Sequence, residues 1–235
     1  MNKKILERDS DGDERDWDCY WANKKKKSNM LYDLIAVFYR KHIIKSALNS
    51  FIKKTFAPDA ILLHAGCGGG QVDTDVIRYA QVTALDISQF ALDRYQALNG
   101  SFAQTLKGSI FEIPLPDNSM DGVYNLGVME HFTEEEINGI LKEFHRVLKP
   151  RGQVLLFWPP AFGLSVTFMK IIHFILNSVL KKNIKLHPNE VTRISSKKHS
   201  QRMLENVGFL MVDYYFGVKD AFTHVILTAE KVINI

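Results

Sequence analysis

Apolar residues recur at helical spacing through the first part of the chain: Leu31, Leu34, Ile35 and Phe38, then Ile44, Ala47, Leu48, Phe51 and Ile52, fall on one side. The spacing predicts one long or broken helix, ended by Pro58 and Asp59. Beyond it the pattern switches to short apolar runs near 60–65, 82–86, 102–106, 121–126 and 153–158, separated by stretches of helical spacing. This predicts five strands alternating with helices, and right-handed crossovers then demand a parallel sheet with helices on both faces. Thr133-Glu134-Glu135-Glu136 has the form of a capping box, and Ile137, Ile140, Leu141, Phe144 and Leu148 give the helix that follows a core-facing stripe. The chain closes with a helix over 196–207 stopped by Gly208, then two strand-like runs, 209–216 and 222–229, joined by a turn at 217–221.

The most informative stretch is Ala60-Ile61-Leu62-Leu63-His64-Ala65-Gly66-Cys67-Gly68-Gly69-Gly70-Gln71, where an apolar strand empties into a glycine-rich turn expected to open a helix. Glycines tolerate positive φ and let a ligand touch the main chain, while the first amides of a following helix are free donors. The spacing lacks the third, helix-packing glycine of the dinucleotide pattern G-x-G-x-x-G, because Gln71 stands there. Asp86 closes the next apolar run at about the separation where a carboxylate meets ribose hydroxyls, so an adenosine is implied, with Asp86 facing solvent at a strand end. The plainer readings are a tight turn without a ligand for Gly66 to Gly70 and a helix cap for Asp86.

Three further blocks follow in order: Leu115-Pro116-Asp117-Asn118-Ser119-Met120-Asp121-Gly122-Val123, Asn125-Leu126-Gly127-Val128-Met129-Glu130-His131, and Arg146-Val147-Leu148-Lys149-Pro150-Arg151-Gly152-Gln153. With the glycine run, they resemble the class I S-adenosylmethionine-dependent methyltransferases of the small-molecule type over residues 60–160. The resemblance implies a Rossmann-like α/β fold with a mostly parallel seven-stranded sheet in the order 3-2-1-4-5-7-6, its last strand antiparallel. It implies S-adenosyl-L-methionine as cofactor and S-adenosyl-L-homocysteine as product. It places Ala65, Gly66, Cys67 and Gly68 at the methionyl part, Asp86 at the ribose, and Ile87 and Ile110 at the adenine faces. Ser109 falls at the adenine edge, Asn125 and Leu126 near the sulfonium, and Arg40 at the methionyl carboxylate. Two positions depart from the family pattern: His64 stands where an Asp is usual, its neutral imidazole able to accept one hydrogen bond, and Ser109 replaces a common Asp.

A sulfonium is already a strong methyl electrophile, so a base is needed only when the acceptor must lose a proton. His131, after the fourth strand, is the first candidate for that general base, since an unperturbed imidazole titrates near neutrality; the other reading is that Glu130-His131 orients the turn. His187 and His199 are within a basic stretch that a substrate can reach, whereas His145 and His224 read as structural.

Composition narrows the partners. A chain of 235 residues with 46% hydrophobic content suits one α/β domain with appendages, here a charged and aromatic N-terminal segment with a helical cap over 1–57 and the main domain over 58–235. A lid-like insertion is expected over about 159–200. The formal charge of +4, from 30 basic against 26 acidic residues, gives no reason to expect nucleic acid as a partner, and no N-P-P-Y segment follows the fourth strand. Two cysteines suggest no disulfide framework, and the first residues hold no apolar leader, so the cytoplasm is expected. No metal is expected: the acidic run at 9–13 has its glycine too early for a calcium loop. The tryptophans at 17 and 21 are expected to pack over the domain or its pocket.

Residues 161–180 are nearly continuous in apolar character and are followed by basic residues up to Arg202. Lys170 at the centre argues against a membrane span, leaving a lid helix, or peripheral membrane contact through 161–202. The acceptor is then a small or lipid-like molecule. Two other functions stay open: a non-catalytic protein on the same fold, motivated by His64 and Ser109, and a nicotinamide oxidoreductase.

Overall fold

A computed structural model describes residues 17, 18, 21, 38–162 and 191–233. Seven strands form one sheet in the order β3-β2-β1-β4-β5-β7-β6: β1 (Ile61–Ala65), β2 (Gln81–Asp86), β3 (Ala103–Lys107), β4 (Met120–Leu126), β5 (Leu148–Trp158), β6 (Phe209–Tyr215) and β7 (Val225–Lys231). The order is the one expected. Strands β1 and β2, β2 and β3, and β4 and β5 pair parallel, whereas β7 runs antiparallel to both β5 and β6. The chain divides into two compact units, residues 1–116 and 117–235.

In the first unit, a π-helical segment (Arg40–Ile44) continues into helix α1 (Lys45–Thr55). Ile44, Ala47, Leu48, Phe51 and Ile52 are all buried, as the spacing predicts. The helix stops at Thr55, because Phe56 is already extended (φ −118°), its carbonyl accepting from the Tyr79 hydroxyl at 2.9 Å. Helix α2 (Gln89–Asn99) starts at Ser88, whose side chain accepts from the Ala91 amide, and ends at Gly100 with φ 63°.

The helix expected directly after the glycine turn is absent. Residues 71–75 are turns, followed by a single 3-10 turn at Val76–Arg78. Val72, Thr74, Val76 and Ile77 are β-branched and favour helix weakly. Asp73 is drawn fully into the core, where its carboxylate takes bonds from His64 and Tyr95. A side chain bonded inward at that point displaces the helical backbone path. The donors of a helical first turn that the sequence promises are therefore not formed here.

In the second unit, helix α3 (Glu134–Val147) carries the capping box: the Thr133 side chain accepts from the Glu136 amide, and the Glu136 side chain accepts from the Thr133 amide. Ile137, Ile140, Leu141 and Phe144 are buried, as is Leu148, which already belongs to β5. That strand begins earlier than its apolar run, since Met120 pairs with Leu148 before an irregularity shifts the register to Gly122 with Gln153. Helix α4 (Lys197–Glu205) starts at Ser196, which caps the His199 amide. The chain before it, at 191–194, is stitched to neighbouring backbone. The Glu130 carbonyl accepts from the amides of Val191 and Thr192, and Ile194 bridges to Pro160. Trp158 donates its indole N–H to the Thr192 carbonyl at 3.2 Å.

Among the described residues no helix is long and apolar enough to cross a membrane, and no group of three or more potential metal ligands occurs. The apolar segment at 163–180, Lys181, Lys182, Lys185, His187, Tyr32 and the acidic run at 9–13 lie outside the described residues.

Candidate functional site

The end of β1 and the end of β2 are locked together by backbone. Both the Gly66 and Cys67 amides donate to the Leu85 carbonyl at 2.9 Å, turning the chain sharply at the strand end. Gly66 (φ 74°), Gly68 (φ 52°) and Gly70 (φ 67°) all occupy the left-handed region, where only glycine enters without strain. Gly70 has a second reason to lack a side chain, because a Cβ there would lie 2.4 Å from Asn99 Nδ2 and 2.5 Å from Tyr95 Cδ2. Asn99 in turn donates to the Gly70 carbonyl at 3.2 Å.

Asp86 is the centre of this arrangement. Its Oδ2 accepts the Gly68 amide at 2.8 Å and its Oδ1 the Ser88 amide at 2.9 Å, while its carbonyl accepts the Gly108 amide at 3.1 Å. The expectation that it faces solvent is corrected: Asp86 is only 8% exposed. Burial pushes its carboxyl above the ordinary carboxylate range, against the pull of the Ser88 and Gly68 amides. Each carboxylate oxygen has capacity for more than one donor, so the bonds seen leave room for a hydroxyl. The chain after β3 is held close to Asp86 through Gly108, and with it come Ser109 and Ile110, both half-buried. The Ser109 hydroxyl accepts from the Phe111 amide at 3.2 Å. Ile87 is half-buried between Asp86 and Ser88.

His64 does not present an open acceptor. It is 2% exposed, and its Nδ1 lies 2.6 Å from Asp73 Oδ2, which also takes the Tyr95 hydroxyl at 2.7 Å. The same oxygen thus ties β1, the loop and α2 together. Burial, with Asp73 next in effect, pushes the Tyr95 hydroxyl far above its ordinary value, so it stays a donor. Burial likewise pushes the Cys67 thiol well up, making it an inert packing group rather than a nucleophile.

Residues 17, 18 and 21 are helical; Asp18 meets Ser88 and Trp21 meets the glycine turn. The Ser88 hydroxyl donates to Asp18 at 2.5 Å, and the Trp21 ring fills the space beside Gly68, where a Cβ would stand 2.8 Å from its Cζ2. The guanidinium of Arg94 lies 5.8 Å from the Trp21 ring. The expected packing of a tryptophan over the domain is met by Trp21.

In the second unit, Asn125 is fully buried near the end of β4 and Leu126 closes that strand half-buried. Gly127 follows with φ 69°. His131 ends a 3-10 turn (Met129–His131), half-buried, its amide donating to the Val128 carbonyl at 3.1 Å. Arg40 is half-buried at the start of the π-helical segment and takes no part in the loop bonds described above.

Of the residues singled out in the sequence, the structure brings the turn at Gly66–Gly68 against Asp86 and holds the chain carrying Ser109 and Ile110 close to Asp86 through Gly108. Sequence reasoning does not find Asp73, Tyr95, Asn99, Ser88 or Asp18. Asp73 carries no local signal, because its partners His64 and Tyr95 are distant in sequence.

Known proteins resemble this chain in sequence and in fold. Residues 63–156 match the family described as a methyltransferase domain. The sterol 24-C-methyltransferase of Neurospora crassa is 26% identical over 206 residues, covering 83% of this chain and 49% of that protein. The chain thus spans about half the length of that relative. Magnesium protoporphyrin IX methyltransferase of Synechocystis, solved with S-adenosylhomocysteine bound, superposes with a TM-score of 0.61 at 17% identity, over 87% of this chain and 89% of that one. The 1,6-didemethyltoxoflavin-N1-methyltransferase of Burkholderia thailandensis, with 1,6-didemethyltoxoflavin and S-adenosylhomocysteine bound, gives 0.62 at 17% identity, over 86% and 84%. These superpositions establish the fold.

Proposed function

We propose, from the match of residues 63–156 to a methyltransferase domain, that the chain binds S-adenosylmethionine and transfers its methyl group to a small-molecule or lipid-like acceptor. The observation that carries this reading is the bond from the Gly68 amide to Asp86 Oδ2 at 2.8 Å, which holds a positive-φ glycine turn against a buried carboxylate at the ends of adjacent parallel strands. The residues fit the cofactor: half-buried, side-chain-free main chain at Gly66 and Gly68 suits the methionyl part, and Asp86 has remaining lone pairs for ribose hydroxyls. Ile87, Ser109 and Ile110 are the proposed adenine contacts. When bound, the cofactor supplies a methyl group already activated by a sulfonium. What this chain contributes is alignment and exclusion of water.

In the second unit, Asn125 and Leu126 are the proposed residues for the sulfonium end. His131 is the proposed base for acceptors that must lose a proton, and Arg40 a proposed partner for the methionyl carboxylate. The sterol and toxoflavin substrates of the proteins named above support an acceptor that is a metabolite or lipid rather than nucleic acid. Peripheral membrane contact through 161–202 and a cytoplasmic location belong to the same proposal.

The test is transfer of a labelled methyl group from S-adenosylmethionine into metabolite and lipid extracts by the full chain. A labelled small product, lost with Asp86→Ala, supports the reading. No transfer despite tight cofactor binding would instead favour the non-catalytic alternative.

A further inference from the structure

Gly68 is usually explained by what a ligand needs, yet in this chain the atoms closest to its missing side chain belong to Trp21. A Cβ on Gly68 would stand 2.8 Å from Trp21 Cζ2 and 3.1 Å from Cη2, and one on Gly69 would stand 3.6 Å from Cζ3. The indole therefore lies flush against the same backbone that the proposed cofactor has to reach. Three residues earlier, on the same face of a helical turn, the Asp18 carboxylate takes the hydroxyl of Ser88. Ser88 is fully buried and donates its own amide to Asp86.

Both contacts are anchored independently of any ligand. The Arg94 guanidinium on α2 lies over the indole ring, 5.8 Å from its centroid, and the Arg94 Cβ lies 3.7 Å from the position of a Gly69 Cβ. The hydrogen bond to Ser88 fixes Asp18 beside the N-terminus of α2, and neither anchor involves an atom of the Asp86 carboxylate. A group fastened to α2 at two points, Ser88 and Arg94, behaves as a wall of the site rather than as a plug within it.

We propose that Trp21 is a cofactor-contacting residue: its indole forms the wall over Gly68 and Gly69, and Asp18, through Ser88, positions the segment that carries it. This rests on the S-adenosylmethionine reading of the loop. The wall slows release of the bound cofactor by packing a large apolar surface against its methionyl part, beside the glycine turn.

The experiment is S-adenosylhomocysteine binding to the full chain by calorimetry and stopped-flow fluorescence, for wild type, Trp21→Ala, Trp21→Phe, Asp18→Asn and Asp86→Ala. Trp21→Ala is expected to raise Kd about tenfold, about 1.4 kcal/mol, mainly through faster release, while Trp21→Phe stays within about threefold because an aromatic wall is kept. Asp18→Asn is expected to be intermediate, and titration should change an indole emission that Trp21→Phe loses. If Trp21→Ala binds as wild type, or tighter, while Asp86→Ala weakens binding, the wall is wrong and the cofactor reading stands. If wild type itself fails to bind, the cofactor reading falls first. Should Trp21→Ala melt early, the fluorescence change and the affinity of Trp21→Phe decide in its place.

Discussion

The Gly68 amide donates to Asp86 Oδ2 at 2.8 Å, and that one bond couples the glycine turn after β1 to the carboxylate that closes β2. The same carboxylate also holds the Ser88 amide and with it the start of α2, so a change at Asp86 touches the turn and the helix together.

Asp86→Asn should therefore lower stability and affinity for S-adenosylhomocysteine together. The amide leaves one buried N–H without its acceptor, at a cost of about 1–3 kcal/mol, read as a lower midpoint in chemical denaturation.

The pH dependence of that difference has a defined sign. Burial raises the Asp86 carboxyl above its ordinary value of 3.8, so the folded state holds a proton more readily than the unfolded one. Its contribution favours folding below 3.8 and is lost as pH rises through the raised value. The stability of Asp86→Asn relative to wild type should thus improve as pH is raised from 3.8, measured by urea denaturation across the range.

Gly70→Ala should unfold more easily than Gly68→Ala. At Gly70 a Cβ would meet Asn99 and Tyr95 within the buried network at 2.4 and 2.5 Å, whereas at Gly68 it would meet the half-buried Trp21. The left-handed backbone costs both about 1–2 kcal/mol, and overpacking adds about 1–3 kcal/mol at Gly70. Thermal melts of the two variants without ligand give the comparison.

Tyr95→Phe should cost about 1.5–3 kcal/mol, since it removes one donor from Asp73. Asp73→Ala should cost more, about 3–5 kcal/mol, because His64 then loses its partner inside the core. A double-mutant cycle between positions 73 and 95 should show coupling, in contrast to a cycle between either position and Thr133.

The legible parts of this fold are those whose signal is local. Strands β1, β2 and β4 stand out as apolar runs, and the Thr133–Glu136 box announces α3 because all its bonds lie within one helical turn. The missing helix after the glycine turn was not legible, since Asp73 is polar and its partners are at positions 64 and 95. Pattern reading assigns a polar residue to the surface, and only long-range geometry shows that it points inward. The same limit applied to Asp86, placed at solvent by its strand-end position but covered in the folded chain. Trp21 was readable as a tryptophan needing a partner, though not as the neighbour of Gly68.

The central claim is that this turn and carboxylate bind S-adenosylmethionine, and calorimetry on the full chain tests it most directly. S-adenosylmethionine and S-adenosylhomocysteine should each bind at one site per chain, NAD should not bind, and Asp86→Ala should weaken both by about tenfold or more. Tight binding of NAD alone, or no binding of any of the three, would contradict the account.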